Sequence, residues 1–131
     1  TIAFELFDHG SRAVEHAVDQ LRGANLAVIA SPVYKASYSG LLKSFLDRIG
    51  QGELHDVVAI PLMVGAAPAH SLAVELHLRP LLVELGAPLP TRGLYVLESD
   101  LTAIDEVTAS WLAAESHAAR LAAALGATRS D

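Results

Sequence analysis

Short, continuous apolar runs alternate along this chain with longer stretches of helical periodicity. Leu26–Ala30 (LAVIA) and Val57–Met63 read as buried strands, and Leu94–Leu97 as another. Runs without polar alternation suit a parallel sheet covered on both faces. Ile2–Leu6 reads as a further short strand, broken by Asp8, His9 and Gly10. Val14, Ala17, Val18 and Leu21 recur at helical spacing over Arg12–Gly23, with Ser11 as cap. Leu41, Leu42, Phe45, Leu46 and Ile49 mark a helix over Gly40–Ile49, stopped by Gly50 and Gly52. His70–Leu85 reads as one long helix closed by Gly86. Thr102 starts a last helix, with Asp105 as its capping-box partner, running to about Leu125. Strands alternating with helices predict a single α/β domain over residues 1–131 with a parallel sheet. Ligands of such sheets bind beyond the carboxyl ends of the strands, here the loops after Ala30, Met63 and Leu97.

Composition narrows the picture. Of 131 residues, 52% are hydrophobic and 18% charged, and mean hydropathy is +0.38, so much of the surface must be buried. A net charge of −6 without a basic cluster argues against duplex nucleic acid and anionic membranes as partners. The absence of cysteine excludes disulfides, thiolate metal sites and a cysteine nucleophile. No apolar run approaches the ~18 residues of a membrane span, and no signal-peptide pattern opens the sequence; a cytoplasmic location is the default expectation. The six histidines, at 9, 16, 55, 70, 77 and 117, lack the spacing of a helical zinc site and read as scattered surface or interface residues. Glu98, Asp100, Asp105 and Glu106 read as helix capping and dipole complementation rather than as paired carboxylates for acid–base work.

The most informative stretch is Ser31-Pro32-Val33-Tyr34-Lys35-Ala36-Ser37-Tyr38-Ser39-Gly40-Leu41-Leu42-Lys43. It leaves a buried strand and enters a helix at Ser39-Gly40, where free backbone N–H groups and the positive helix end gather. Gly40 permits close backbone approach. Tyr34 and Tyr38 offer flat surfaces, and Lys35 a positive charge. From the residues alone, a cradle for a flat, polar-edged anion and an ordinary capped turn both fit.

The segment SPVYKASYSGLLKSFLD resembles the motif of the NADPH-dependent FMN reductases, above all the alkanesulfonate and methanesulfonate two-component subgroup. A weaker likeness continues through the Val57 strand, the His70 helix and Gly93-Leu94-Tyr95-Val96. The resemblance implies a flavodoxin-like three-layer sandwich that reduces FMN with NADPH or NADH by hydride transfer, FMNH2 leaving for a flavin-dependent monooxygenase. It implies that Pro32, Val33, Tyr34, Lys35, Ser37, Tyr38, Ser39 and Gly40 line the isoalloxazine or ribityl side of the flavin. The family's second loop commonly runs Thr-Gly-Gly-Thr shortly before a His. Here Val64-Gly65-Ala66-Ala67-Pro68-Ala69-His70 keeps only Gly65 and His70. Backbone contacts from Gly65, Ala66 and His70 survive such a change; contacts by a Thr hydroxyl do not. Hydride chemistry belongs to the two cofactors, so no general acid or base is nominated. Two other functions fit the same fold: a quinone or azo reductase with tightly held FMN, and a non-catalytic interaction module.

The family's phosphate loop is a Gly/Ser-rich turn after the first strand, and no such turn precedes Ser31. In the strand order 2-1-3-4-5, Ile2–Leu6 becomes strand two and Leu26–Ala30 strand three. The central first strand is then missing, and the expectation is an N-terminally incomplete chain with a slot between those two strands; the alternative is a different fold with its own complete sheet. The His70–Leu85 helix is apolar around more than one face, which implies a homodimer or homotetramer built through it. Pro80 removes a backbone donor, so a kink or wide turn is expected nearby. An ordinary Pro-kinked helix is one reading. The other comes from the resemblance, in which an inserted residue, here Leu76 or His77, forms a π-bulge at a tetramer interface.

Overall fold

The computed structural model describes residues 5–8 and 10–127. Helix α1 (Arg12–Arg22) starts at Ser11, whose hydroxyl accepts from Val14 N as the sequence suggests. Strand β1 (Leu26–Pro32), helix α2 (Gly40–Leu46), strand β2 (Val58–Gly65), a 3-10 turn (Pro68–His70), a π-helical turn (Val74–Leu78), helix α3 (Arg79–Glu84), strand β3 (Leu94–Leu97), a 3-10 segment (Glu98–Ala103), and helices α4 (Ile104–Ala114) and α5 (Ser116–Ala127) follow. The three strands form one parallel sheet in the order β1-β2-β3.

Register assigns the two faces. Ile29, Ala59 and Met63 share one face and join a core cluster with Val14 and Val18 of α1, Leu46 of α2, Val74 and Leu78 of the π-helical turn, and Leu82 of α3. On the other face α5 lies against β1 and β2, and Leu26 and Val28 stay about half exposed. The α/β class and parallel sheet therefore hold, with helices on both faces. No helix among the described residues is long and apolar enough to cross a membrane.

Several boundaries differ from expectation, each for a local reason. Residues 2–4 of the expected first strand lie outside the described residues. Glu5 and Leu6 form a turn, because Asp8 N donates to Glu5 O (3.0 Å) and the Ser11 hydroxyl to the Glu5 carboxylate. Leu6 is buried in the core cluster, and β1 pairs only with β2 among the described residues. Helix α2 stops at Leu46, where tighter bonds take over: Arg48 N to Phe45 O and Ile49 N to Leu46 O. The last helix is split at Glu115, whose carboxylate turns inward to accept from Arg92 N (3.2 Å) and Arg92 Nε (2.6 Å). Neither Thr102 nor Asp105 caps it. Its N-cap is Ala103, without a side-chain bond, and Asp105 and Glu106 complement the dipole of the first turn.

The expected long helix over 70–85 is three pieces. Between the 3-10 turn and α3 the backbone widens to a π turn, with Arg79 N donating to Val74 O. Leu76 and His77 both lie in that turn, immediately before Pro80, which lacks an N–H and crowds the carbonyl four residues back. Glu75 locks the wide turn in place. Its carboxylate accepts from Arg79 Nε and from Gly93 N (2.6 Å), and Arg79 also donates to Leu89 O (3.2 Å) and Thr91 O (2.5 Å). The Arg79 hydrogen bond, foremost, holds the Glu75 carboxyl below the usual carboxylate range.

Helix α3 closes in a Schellman motif: Ala87 N donates to Leu82 O and Gly86 N to Val83 O. Gly86 takes φ +86°, and a Cβ there would stand 2.7 Å from the Gly52 Cα. Both the left-handed conformation and the contact forbid a side chain. Gly86→Ala is expected to lower unfolding free energy by about 2 kcal/mol or more, measured by urea denaturation. A loss below about 0.5 kcal/mol would contradict this account of the helix end.

Candidate functional site

Parallel register brings the carboxyl ends of the strands level. Pro32 stands opposite Val64, and Gly65 opposite Leu97. The loop after β1 (residues 33–39) and the loop after β2 (residues 66–70) therefore emerge side by side. Val33 N donates to Val64 O (2.7 Å), tying the first loop to the end of β2.

The first loop is a tight hairpin. Tyr34 N donates to Ser37 O (2.8 Å) and Ser37 N to Tyr34 O (3.1 Å), leaving Lys35 and Ala36 as its two central residues. They take φ +50° and +62°, the left-handed pair of a type I′ turn. For L-residues that conformation costs about 1–2 kcal/mol each, so the tip of the loop is strained. Tyr34 is 62% exposed and Lys35 is exposed, and the Lys35 ammonium has no partner among the described residues. Lys43, by contrast, is engaged with Asp47 (2.5 Å), and that hydrogen bond raises its pKa above the ordinary lysine value. Tyr38 and Val33 are half-buried and pack on the core cluster.

The far end of the loop is anchored by two serines. The buried Ser31 hydroxyl accepts from Ser39 N (2.8 Å) and donates to Pro32 O (2.9 Å). The Ser39 hydroxyl accepts from Leu42 N (3.1 Å) and caps α2. Gly40 is exposed, and a Cβ built there meets nothing within 4 Å, so its backbone faces open space. Because α2 has only seven residues, its contribution is a few local amides rather than a long dipole. Pro32 and Ser39 line a groove of about 440 Å³ together with Leu6, Ala17, Ala30, Leu41, Leu42 and Phe45.

In the second loop, Gly65 is buried, Ala66 and His70 are exposed, and His70 N donates to Ala67 O (3.1 Å). The same Ala67 carbonyl accepts from the Tyr95 hydroxyl (2.6 Å), which reaches over from β3. Of the eleven residues singled out in the sequence, Val33, Tyr34, Lys35, Ser37, Tyr38 and Ser39 fall on the first loop and Ala66 and His70 on the second, while Pro32, Gly40 and Gly65 end or start the elements that flank them. Two organising residues were not singled out. Ser31 carried a faint signal, as a polar residue ending a buried run. Tyr95 carried none, since an aromatic inside a strand reads as packing.

Residues 4–102 match the family described as NADPH-dependent FMN reductase. The FMN reductase (NADPH) of Escherichia coli (strain K12) is 38% identical over 91 residues, covering 70% of this chain and 48% of that protein. The NADH-dependent FMN reductase SfnF of Pseudomonas fluorescens (strain Pf0-1) is 34% identical over 87 residues, covering 66% and 46%. A solved structure of an NADH:FMN oxidoreductase (EMOB) in its apo form superposes with a TM-score of 0.77 at 34% identity, covering 88% of this chain and 64% of that one. The chain spans about half the length of the curated relatives it matches. It belongs to the NADPH-dependent FMN reductase family, and its fold is flavodoxin-like.

The strained tip gives a test of the loop geometry. Ala36→Gly is expected to raise unfolding free energy by about 0.5–1 kcal/mol, the relief at positive φ outweighing the added chain entropy of glycine. Thermal denaturation of the two proteins decides it. A destabilised glycine variant would mean that Ala36 does not adopt the left-handed conformation.

Proposed function

We propose that this member of the FMN reductase family reduces FMN with NADPH or NADH and passes FMNH2 to a partner monooxygenase. One hydride moves from the nicotinamide to the flavin and one proton is taken up, giving FMNH2 and the oxidised nucleotide. The observation that carries the reading is the pairing of two loops at the carboxyl edge of a parallel sheet, in a chain matching this family over residues 4–102. Pro32, Val33, Tyr34, Lys35, Ser37, Tyr38, Ser39 and Gly40 are assigned to the ring and ribityl side. Gly65, Ala66 and His70 are assigned to the ring edge.

The residues fit such a ligand. The open space at Gly40 accepts a flat body against the backbone. The exposed Tyr34 ring offers a stacking face, and the Lys35 ammonium offers charge to an anionic ligand. What the protein contributes is position: two loops fixed to one sheet hold the flavin face toward the incoming nicotinamide. Consumption of NADPH or NADH fits a cytoplasmic setting.

Purified full-length protein should oxidise NADPH or NADH only when FMN is added. Gly40→Val should raise the FMN dissociation constant about tenfold or more while leaving thermal stability nearly unchanged, because a Cβ at this exposed position meets no protein atom within 4 Å. An unchanged dissociation constant would remove Gly40 from the site. Flavin retained through purification, with activity toward quinones or azo compounds, would favour the tightly bound cofactor instead. Absence of oxidation would favour a non-catalytic module.

The protein is also proposed to be a homodimer or homotetramer through the 70–85 region. Leu72, Leu76 and Val83 are all more than half exposed on that outer layer, an apolar surface that a partner copy would cover. Leu76→Glu should therefore reduce the mass seen by light scattering to that of a smaller assembly or monomer. A wild-type monomer at micromolar concentration would defeat the proposal.

A further inference from the structure

Tyr95 of β3 joins three separate pieces of the site. Paired with Met63 in the sheet, it sends its ring along the face toward the carboxyl edge. There it passes over Gly65: a Cβ on that glycine would lie 2.3 Å from Tyr95 Oη and 3.1 Å from Val33 Cγ2. The bare backbone of Gly65 is what lets the phenol through. Beyond it the hydroxyl donates to the Ala67 carbonyl at 2.6 Å, and His70 N donates to that same oxygen at 3.1 Å. Two donors from different directions fix the carbonyl, and with it the orientation of the peptide leading into Pro68.

We infer that Tyr95 is a positioning residue for the flavin: its hydroxyl fixes the second loop so that the loop's backbone meets the ring edge at one orientation. The inference rests on the FMN-reducing function proposed above. In the stretch Gly65-Ala66-Ala67-Pro68 no side chain carries a hydrogen-bonding group. Any directed polar contact from these residues to a ligand is made by main-chain atoms, and their precision depends on what holds the backbone. The Ala67 carbonyl is turned toward Tyr95 and His70 and is spent on them. Val33 Cγ2 flanks the same position above Gly65, 3.1 Å from where a Cβ would stand, and the Val33 amide is bonded to Val64 O (2.7 Å), so the first loop is tied to the same end of β2. Loss of the hydroxyl removes the strut while the aromatic packing and the His70 bond remain.

The test is steady-state kinetics of the full-length protein with Tyr95→Phe, Gly65→Ala and the double variant. Val18→Ala, a buried truncation on α1 and so outside both loops, serves as the stability control. Tyr95→Phe is expected to raise KM for FMN about three- to tenfold, the scale of one hydrogen bond, with kcat and the nicotinamide KM within about twofold. Gly65→Ala, by pushing the phenol off Ala67, should raise the FMN KM similarly, and the double variant should show less than the product of the two effects. Val18→Ala should lower the melting temperature without moving the FMN KM. An FMN KM for Tyr95→Phe within about twofold of wild type, or effects of the two substitutions that multiply independently, overturns the inference. If wild type itself neither binds nor reduces FMN, the functional proposal has failed in its own arm, visible before any variant is compared, and the role of Tyr95 falls with it.

Discussion

Everything at the functional end depends on the parallel pairing of three strands in level register. Parallel strands cannot be joined by tight hairpins, so each connection must cross back over a face of the sheet. That need places α2, the π-helical turn and α3 against Ile29, Ala59 and Met63, where α1 also packs, and builds the core. It also makes the chain leave β1 and β2 at the same edge, with Pro32 opposite Val64. The two loops become neighbours through ladder geometry, and one extra bond, Val33 N to Val64 O, is enough to couple them.

Once side by side, the loops are shaped by opposite means. The first is held by hydroxyls and strain: Ser31 and Ser39 secure the entry to α2, while Lys35 and Ala36 sit in left-handed conformations that L-residues resist. Strain of this kind persists only where the surroundings over-determine it, and here the paired bonds between Tyr34 and Ser37 do so. The second loop is held by the absence of side chains. Gly65 clears the path of Tyr95, and the tyrosine hydroxyl fastens Ala67. A loop that has given up hydroxyl-bearing residues thus remains ordered through its main chain.

Away from the loops, the wide turn at Val74–Leu78 is held by a compact polar network. Glu75 receives Arg79 and the Gly93 amide, and Arg79 reaches two carbonyls of the segment leading to β3. Glu75 and Arg79, four apart, would meet on an ordinary helix as well. What is particular is that both also bond to the backbone of residues 89–93, which couples the π turn to the start of β3. The same turn carries Leu76 on its outer side, so the widening that accommodates Pro80 also shapes the exposed apolar surface.

Strand and helix identity was largely legible in the sequence, because apolar periodicity reports local geometry directly. LAVIA and the Val57–Met63 run became adjacent parallel strands, and the Ser31–Lys43 stretch was legible as strand, loop and capped helix. The eleven singled-out residues could be placed on two loops and their immediate flanks from their positions after buried runs. Boundaries were less legible. Glu115 splits the last helix because its carboxylate finds Arg92, 23 residues away, and no local pattern encodes that partner. The choice between a kink and a π turn around Pro80 was left open by the sequence, since a missing donor permits both; the bonds of Glu75 and Arg79 to distant backbone decided it. Tyr95 shows the limit most clearly. Its role needs a glycine 30 positions earlier and a carbonyl 28 positions earlier to lie along one line of the sheet. Periodicity sets which face a residue takes, but only the three-dimensional register decides what that residue can reach.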